Sequence, residues 1–156
     1  MIQRKQSVFL FLAAVSLSVL FFLPLAKFIG DSDSLVLYVN GLESLVPDHS
    51  PDFPQLLIYL LAFIVVAMIL LAIAIIFLYE NRKRQLSLLK IAIILNLVLI
   101  ASFFFYFVNE LENVAGGLVS YEAGTYFPLV SLVFFILANR AIIADEKLIR
   151  SSDRLR

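Results

Sequence analysis

Few residues in this chain have the types that chemistry needs. Pro47-Asp48-His49-Ser50-Pro51-Asp52 sets the chain's single histidine among two carboxylates and a hydroxyl, the ingredients of a hydrolytic or metal site. Such a site requires a pocket and supporting side chains that fix the reacting groups, and one short proline-punctuated loop supplies neither. The run therefore reads as an ordinary polar loop. One histidine and no cysteine exclude the usual zinc ligand sets, thiol catalysis and disulfides. No glycine-rich phosphate loop is present, so nucleotide binding has no support. These residues imply no cofactor and no enzymatic activity.

The remaining polar candidates are embedded in apolar sequence. Asn96 stands between leucines in a long hydrocarbon run, where an unpaired amide is costly, so it is expected to hydrogen-bond to a neighbouring helix. A substrate contact in a transport path is the alternative. Packing is preferred, because no ionisable residue sits mid-run beside Asn96 and ion or proton pathways ordinarily use one. Asn139-Arg140 lies near the end of another apolar run. Arg140 there can snorkel to the interface, pair with Glu80, or hold an anionic head group. Phe103-Phe104-Phe105-Tyr106-Phe107 is either filler or the lining of a groove for a lipid-like molecule.

Basic residues fall in two places of interest. Arg82-Lys83-Arg84 separates two long apolar segments, and the tail carries Lys147, Arg150, Arg154 and Arg156. Together with Arg140, these are the candidate contacts for a partner or for lipid. In the tail, Asp145, Glu146 and Asp153 are interspersed with Leu148, Ile149 and Leu155, a mixture that suits a protein partner better than a purely electrostatic patch. The net charge is formally zero, so no overall field points to nucleic acid.

The elements that position these groups follow from hydropathy. The chain has 156 residues, 62% of them hydrophobic, and a mean hydropathy of +1.00, more apolar surface than a soluble domain of this length hides. Four apolar runs are long enough to be spans, at residues 7–26, 55–79, 86–108 and 126–143. The expected fold is an all-α integral membrane protein, a four-transmembrane-helix bundle forming a single domain. A cleaved signal peptide is the rival for the first run, but its apolar core is too long for one. A turn at 80–85 and a tail at 144–156 would lie on one side, and loops at 28–54 and 109–124 on the other.

Within the first loop, Asn40-Gly41 between two β-prone runs predicts a small hairpin. Leu118-Val119-Ser120-Tyr121 is a candidate third strand at its edge. With four spans, 11 basic residues share a side with the termini and the central turn, and only Lys27 opposes them. That bias predicts cytoplasmic termini and an extracytoplasmic sheet.

Two stretches carry a resemblance. Residues 1–7, Leu12-Ala13-Ala14 and Phe21-Phe22-Leu23-Pro24-Leu25-Ala26 at the start, with 138–142 and 145–156 at the close, are similar to the bacterial domain-of-unknown-function family number 4293. Its members are small Bacteroidota membrane proteins with four spans, which implies an inner-membrane location but supplies no functional residues. The expected function is a non-enzymatic accessory or structural subunit of an inner-membrane assembly, in protein export or envelope biogenesis. Its expected partners are the lipid bilayer and other membrane proteins. A small carrier of a lipid-like molecule is the alternative.

Overall fold

The structure is a computed structural model that describes residues 5–30, 34–45 and 53–153, with side chains as far as Lys147 in the final helix. The His49 loop run, Arg4, Arg154, Arg156 and the Arg150 side chain lie outside the described residues. The first helix, α1 (Lys5–Val19), is shorter than the apolar run that predicted it. It tightens into three successive i→i−3 bonds, donated by Leu20, Phe21 and Phe22. Pro24 ends it, because proline has no N–H to donate and holds Leu23 out of the helical region. The expected span 7–26 is therefore corrected to a helix ending at Val19, a turn, and the start of a strand.

That strand, β1 (Ala26–Gly30), is followed by β2 (Ser34–Leu37) and β3 (Leu42–Ser44), and β4 (Gly117–Tyr121) returns much later. They form one antiparallel sheet in the order β3-β2-β1-β4. The hairpin forms, but its turn sits one residue earlier than Asn40-Gly41. The Tyr38 N–H donates to the Gly41 carbonyl at 2.8 Å, leaving Val39 and Asn40 as the connection. This register keeps Leu35, Leu37 and Val39 all buried on the face toward the helices. β4 pairs with β1 rather than with the hairpin itself, so the three-stranded expectation becomes a four-stranded sheet.

The second helix, α2 (Gln55–Phe77), buries Ile58, Leu61, Val65, Met68, Ala72 and Ile75, at alternating spacings of three and four. Its opposite stripe, Leu56, Phe63, Leu70 and Phe77, is between 61% and 77% exposed. The stripe is as apolar as the core, so burial is decided by packing against neighbours and not by polarity. The next helix begins at Arg82, not Leu86, and continues to Ala115: α3 (Arg82–Ser102), a π-helical turn at Phe103–Phe107, and α4 (Val108–Ala115). Arg82-Lys83-Arg84 thus belongs to the first helical turn, and the expected turn 80–85 shrinks to the residues before it. The expected second loop likewise loses Asn109 to Ala115 to the helix. The wide turn has a physical reason. Continuing the buried positions Asn96, Leu99 and Phe103 in α-helical steps would bring Glu110 inward, whereas the extra residue buries Phe107, Val108, Leu111 and Ala115 instead.

A 3₁₀ turn at Ala123–Tyr126 leads into α5 (Phe127–Asp153), longer than the expected 126–143 because its charged continuation stays helical. Helix α1 packs most extensively on α5 and next on α2, while α3 bridges α5 and α2. Ala13, Ala14 and Ala138 are buried, the small side chains that let helices approach closely. The sheet caps one end of this bundle and rests on α4. The entry to α5 is sewn to the exit of α1: Glu122 N–H donates to Leu25 O at 3.0 Å and Gly124 N–H to Pro24 O at 2.9 Å. The Thr125 hydroxyl also donates to Leu25 O.

Candidate functional site

Asn96 is completely buried on α3 and meets Ser131, equally buried, on α5. The surroundings decide which way its amide points. With Oδ1 accepting from the Ser131 hydroxyl at 2.6 Å and the Leu132 N–H at 3.2 Å, Nδ2 donates to the Pro128 carbonyl at 3.2 Å, and every polar atom is satisfied. The opposite orientation faces an acceptor with an acceptor. The amide therefore clasps the first turn of α5. Asn96 does not line the crevice described below.

At the other end of the bundle, Asn81 caps α3, its side-chain oxygen accepting from the Arg84 N–H at 3.3 Å. Lys83, Arg84, Arg140 and Lys147 are exposed, whereas Arg82 is half-buried. Arg140 forms no ion pair with the exposed Glu80; an ion pair joins Lys27 to Glu122 at 3.0 Å, beside the sheet. Gln85, inconspicuous in sequence beside the basic run, is fully buried, and its Nε2 donates to Ile75 O on α2 at 3.1 Å. Among the described residues, three polar atoms at this end are buried without a hydrogen-bond partner: Arg82 Nη1, Gln85 Oε1 and Asn139 Oδ1. Position on the inward stripe of α3, at the spacing Arg82, Gln85, Leu89, is the sequence signal that reveals the first two, while Asn139 belongs to α5.

The aromatic run on the third helix divides. Phe103 and Phe107 are buried, while Phe105 is 79% exposed. Phe107 stacks obliquely on Phe53 with ring centroids 6.0 Å apart, and Phe104 approaches Tyr121 of β4 at 5.7 Å. Between α2 and the π-helical turn lies a crevice of about 230 Å³, lined by Leu57, Leu60, Ile64, Ser102, Tyr106 and Phe107 among others. Its walls are almost wholly hydrocarbon, with two hydroxyl-bearing side chains, Ser102 and Tyr106, in the lining.

On the sheet, Ile29 and Leu118 stand opposite one another in register on the face turned away from the bundle. They are 62% and 81% exposed. No group of His, Asp and Glu suited to a metal ion occurs among the described residues.

The fold and these features define a mostly helical chain of four helices, three of them long and apolar enough to cross a membrane, capped by a small four-stranded sheet. The chain belongs to the family described as domain of unknown function (DUF4293), whose model matches residues 2–155. No curated protein matches the chain.

Proposed function

We propose that this is a non-enzymatic accessory subunit of a bacterial inner-membrane assembly, crossing the bilayer four times with both termini and Arg82-Lys83-Arg84 in the cytoplasm. Residues 5–19 give about 22 Å of α-helix, and the turn through Phe22 lengthens the first crossing. The wholly apolar outward stripe of α2 supports the bilayer as its solvent, since soluble proteins seldom leave so much contiguous apolar surface in water. Charge asymmetry supports the orientation.

The observation that carries the subunit reading is the apolar pair Ile29 and Leu118 on the outward face of the sheet, next to the free edge of β4. Helix surfaces meet lipid, but a sheet cap beyond the helices meets water unless a protein covers it. Protein export or envelope biogenesis is the setting that an extracytoplasmic contact of this kind fits. Gentle extraction of the tagged protein followed by mass spectrometry tests the reading. A stoichiometric partner is expected, and the Ile29→Ser/Leu118→Asp variant should recover it at least about tenfold less, the consequence of losing two buried apolar contacts. A lone monodisperse species would count against the proposal.

One observation favours a second reading, a binder of a lipid-like molecule: the hydrocarbon-walled crevice at the π-helical turn. Leu60→Trp would fill it. Loss of function in that variant, with assembly intact, would move the reading toward the ligand.

A further inference from the structure

The two edges of the sheet are built differently. β3 has three residues and carries the exposed Glu43, the kind of short, charged edge that resists further pairing. β4 has five residues, no charge, no proline and an unbroken register with β1. Its free groups follow from parity, since alternate residues of an antiparallel strand bond to the same neighbour. The Glu122 N–H bonds to Leu25 O, one step beyond the Ala26–Tyr121 pair, so Leu118 and Ser120 also face β1. The N–H and C=O groups of Gly117, Val119 and Tyr121 therefore point away from the sheet, and no hydrogen bond among the described residues engages them.

The direction of the strands decides what can pair there. Leu25 and Phe103 line one small apolar crevice, and Gly30 lies against Ala115. From Leu25 to Gly30 a strand climbs about 17 Å, and from Phe103 to Ala115 a helix climbs about 18 Å, so β1 runs alongside α4 and parallel to the bundle axis. β4, antiparallel to β1, runs back along the same axis. A second copy pairing antiparallel through its own β4 would hold its bundle upside down, which two chains inserted alike in one bilayer cannot do. A two-fold parallel pair sets each N–H opposite an N–H, and β3 of another copy offers only the guarded edge.

We propose that β4 receives an extended segment of a partner protein as the fifth strand of the sheet. Backbone groups of the segment bond to Gly117, Val119 and Tyr121, and an apolar side chain beside Leu118 continues the row begun by Ile29. Lys27 is paired with Glu122, whereas Glu110 and Glu112 stand on the last two turns of α4, which leads directly into Gly117. The surroundings are therefore acidic, and the segment that fits them is apolar at alternate positions and basic at its flanks. This strand addition deepens the subunit reading above, which supplies the partner on which it rests.

The test adds a synthetic peptide to the purified full chain in mild detergent and follows amide exchange by NMR. The peptide alternates valine with threonine and has lysine at both ends. In the lone chain the Gly117, Val119 and Tyr121 amides should exchange at least about tenfold faster than those of Leu118 and Ser120, and saturating peptide should slow them by about tenfold or more. Glutamate in place of the lysines should weaken binding about threefold or more, and a peptide methylated at all its backbone amides should leave the three amides unprotected. Val119→Pro removes an outward donor and no bond to β1, so it should weaken peptide binding about tenfold while Leu118 and Ser120 stay protected. Slow exchange of the three amides in the lone chain, protection that rises with protein concentration in place of peptide, or undiminished protection by the methylated peptide would overturn the proposal. The subunit reading fails separately, if extraction yields no stoichiometric partner. A partner retained in full by Val119→Pro keeps that reading and overturns the strand addition.

Discussion

Replacing Asn96 with leucine removes a side chain that makes up to three hydrogen bonds, at 2.6, 3.2 and 3.2 Å, to the first turn of α5. Leucine keeps the same branched heavy-atom skeleton and is bulkier, so no cavity adds to the cost. The groups left behind are not stranded. The Ser131 hydroxyl lies 2.8 Å from Pro128 O and turns to it, and Leu132 can return to its own helix. Interhelical hydrogen bonds in membrane proteins are worth about 0.6–2 kcal/mol, so the loss should be about 1–1.5 kcal/mol rather than the larger cost of an orphaned buried amide. Reversible unfolding in mixed detergent micelles, followed by circular dichroism, measures it. Ser131→Ala completes a double-mutant cycle, whose coupling should be about 1 kcal/mol. Unchanged stability in Asn96→Leu, with the two substitutions additive within about 0.3 kcal/mol, would refute the clasp. If that variant also lost cellular function while folding normally, Asn96 would belong to a ligand path.

Three further outcomes follow from the cap. Gly117→Ala should be among the most damaging single changes, by about 3 kcal/mol, because its Cβ would stand 2.0 Å from Ile29 O and 2.3 Å from Gly30 Cα, both backbone; loss of protease resistance in the sheet would report it. Gly116→Ala, at the left-handed residue that ends α4 with φ 68°, should cost only about 1–2 kcal/mol in the same unfolding assay. Glu122→Gln should shift stability by less than about 1 kcal/mol, since its ion pair with Lys27 is partly solvated, and raising the salt concentration should reduce even that difference.

The helices were legible because an apolar run interrupted by charge is a local signal. Their ends were not. The hydrocarbon continuing through Ala26 concealed that Ala26–Gly30 is a strand, since its partners are Ser34–Leu37 and, far along the chain, Gly117–Tyr121. Pairing at that separation leaves no periodicity to read. The Asn40-Gly41 dipeptide marked the hairpin and misplaced its turn by one residue, because burying Val39 outweighed the local preference for glycine in the turn. Glu110 and Glu112 suggested a loop although they belong to α4, Glu110 exposed and Glu112 half-buried, with Val108, Leu111 and Ala115 forming its inner side. Among candidate sites, Asn96 was conspicuous as an amide amid leucines, while Gln85 was hidden beside three cations.

The position of β1 in the sheet sets a schedule for biosynthesis. One of its edges is taken by β2 within a few residues, but the other waits for β4, with Ala26 opposite Tyr121, 95 residues later. A chain emerging from the ribosome therefore delivers α2, α3 and α4 before the strand that completes the cap. Until Tyr121 is out, the central strand shows an open row of amides and carbonyls, a surface that chaperones and proteases recognise. Closure of the sheet requires that α2, α3 and α4 have been made, and it sets the start of α5 beside the exit of α1.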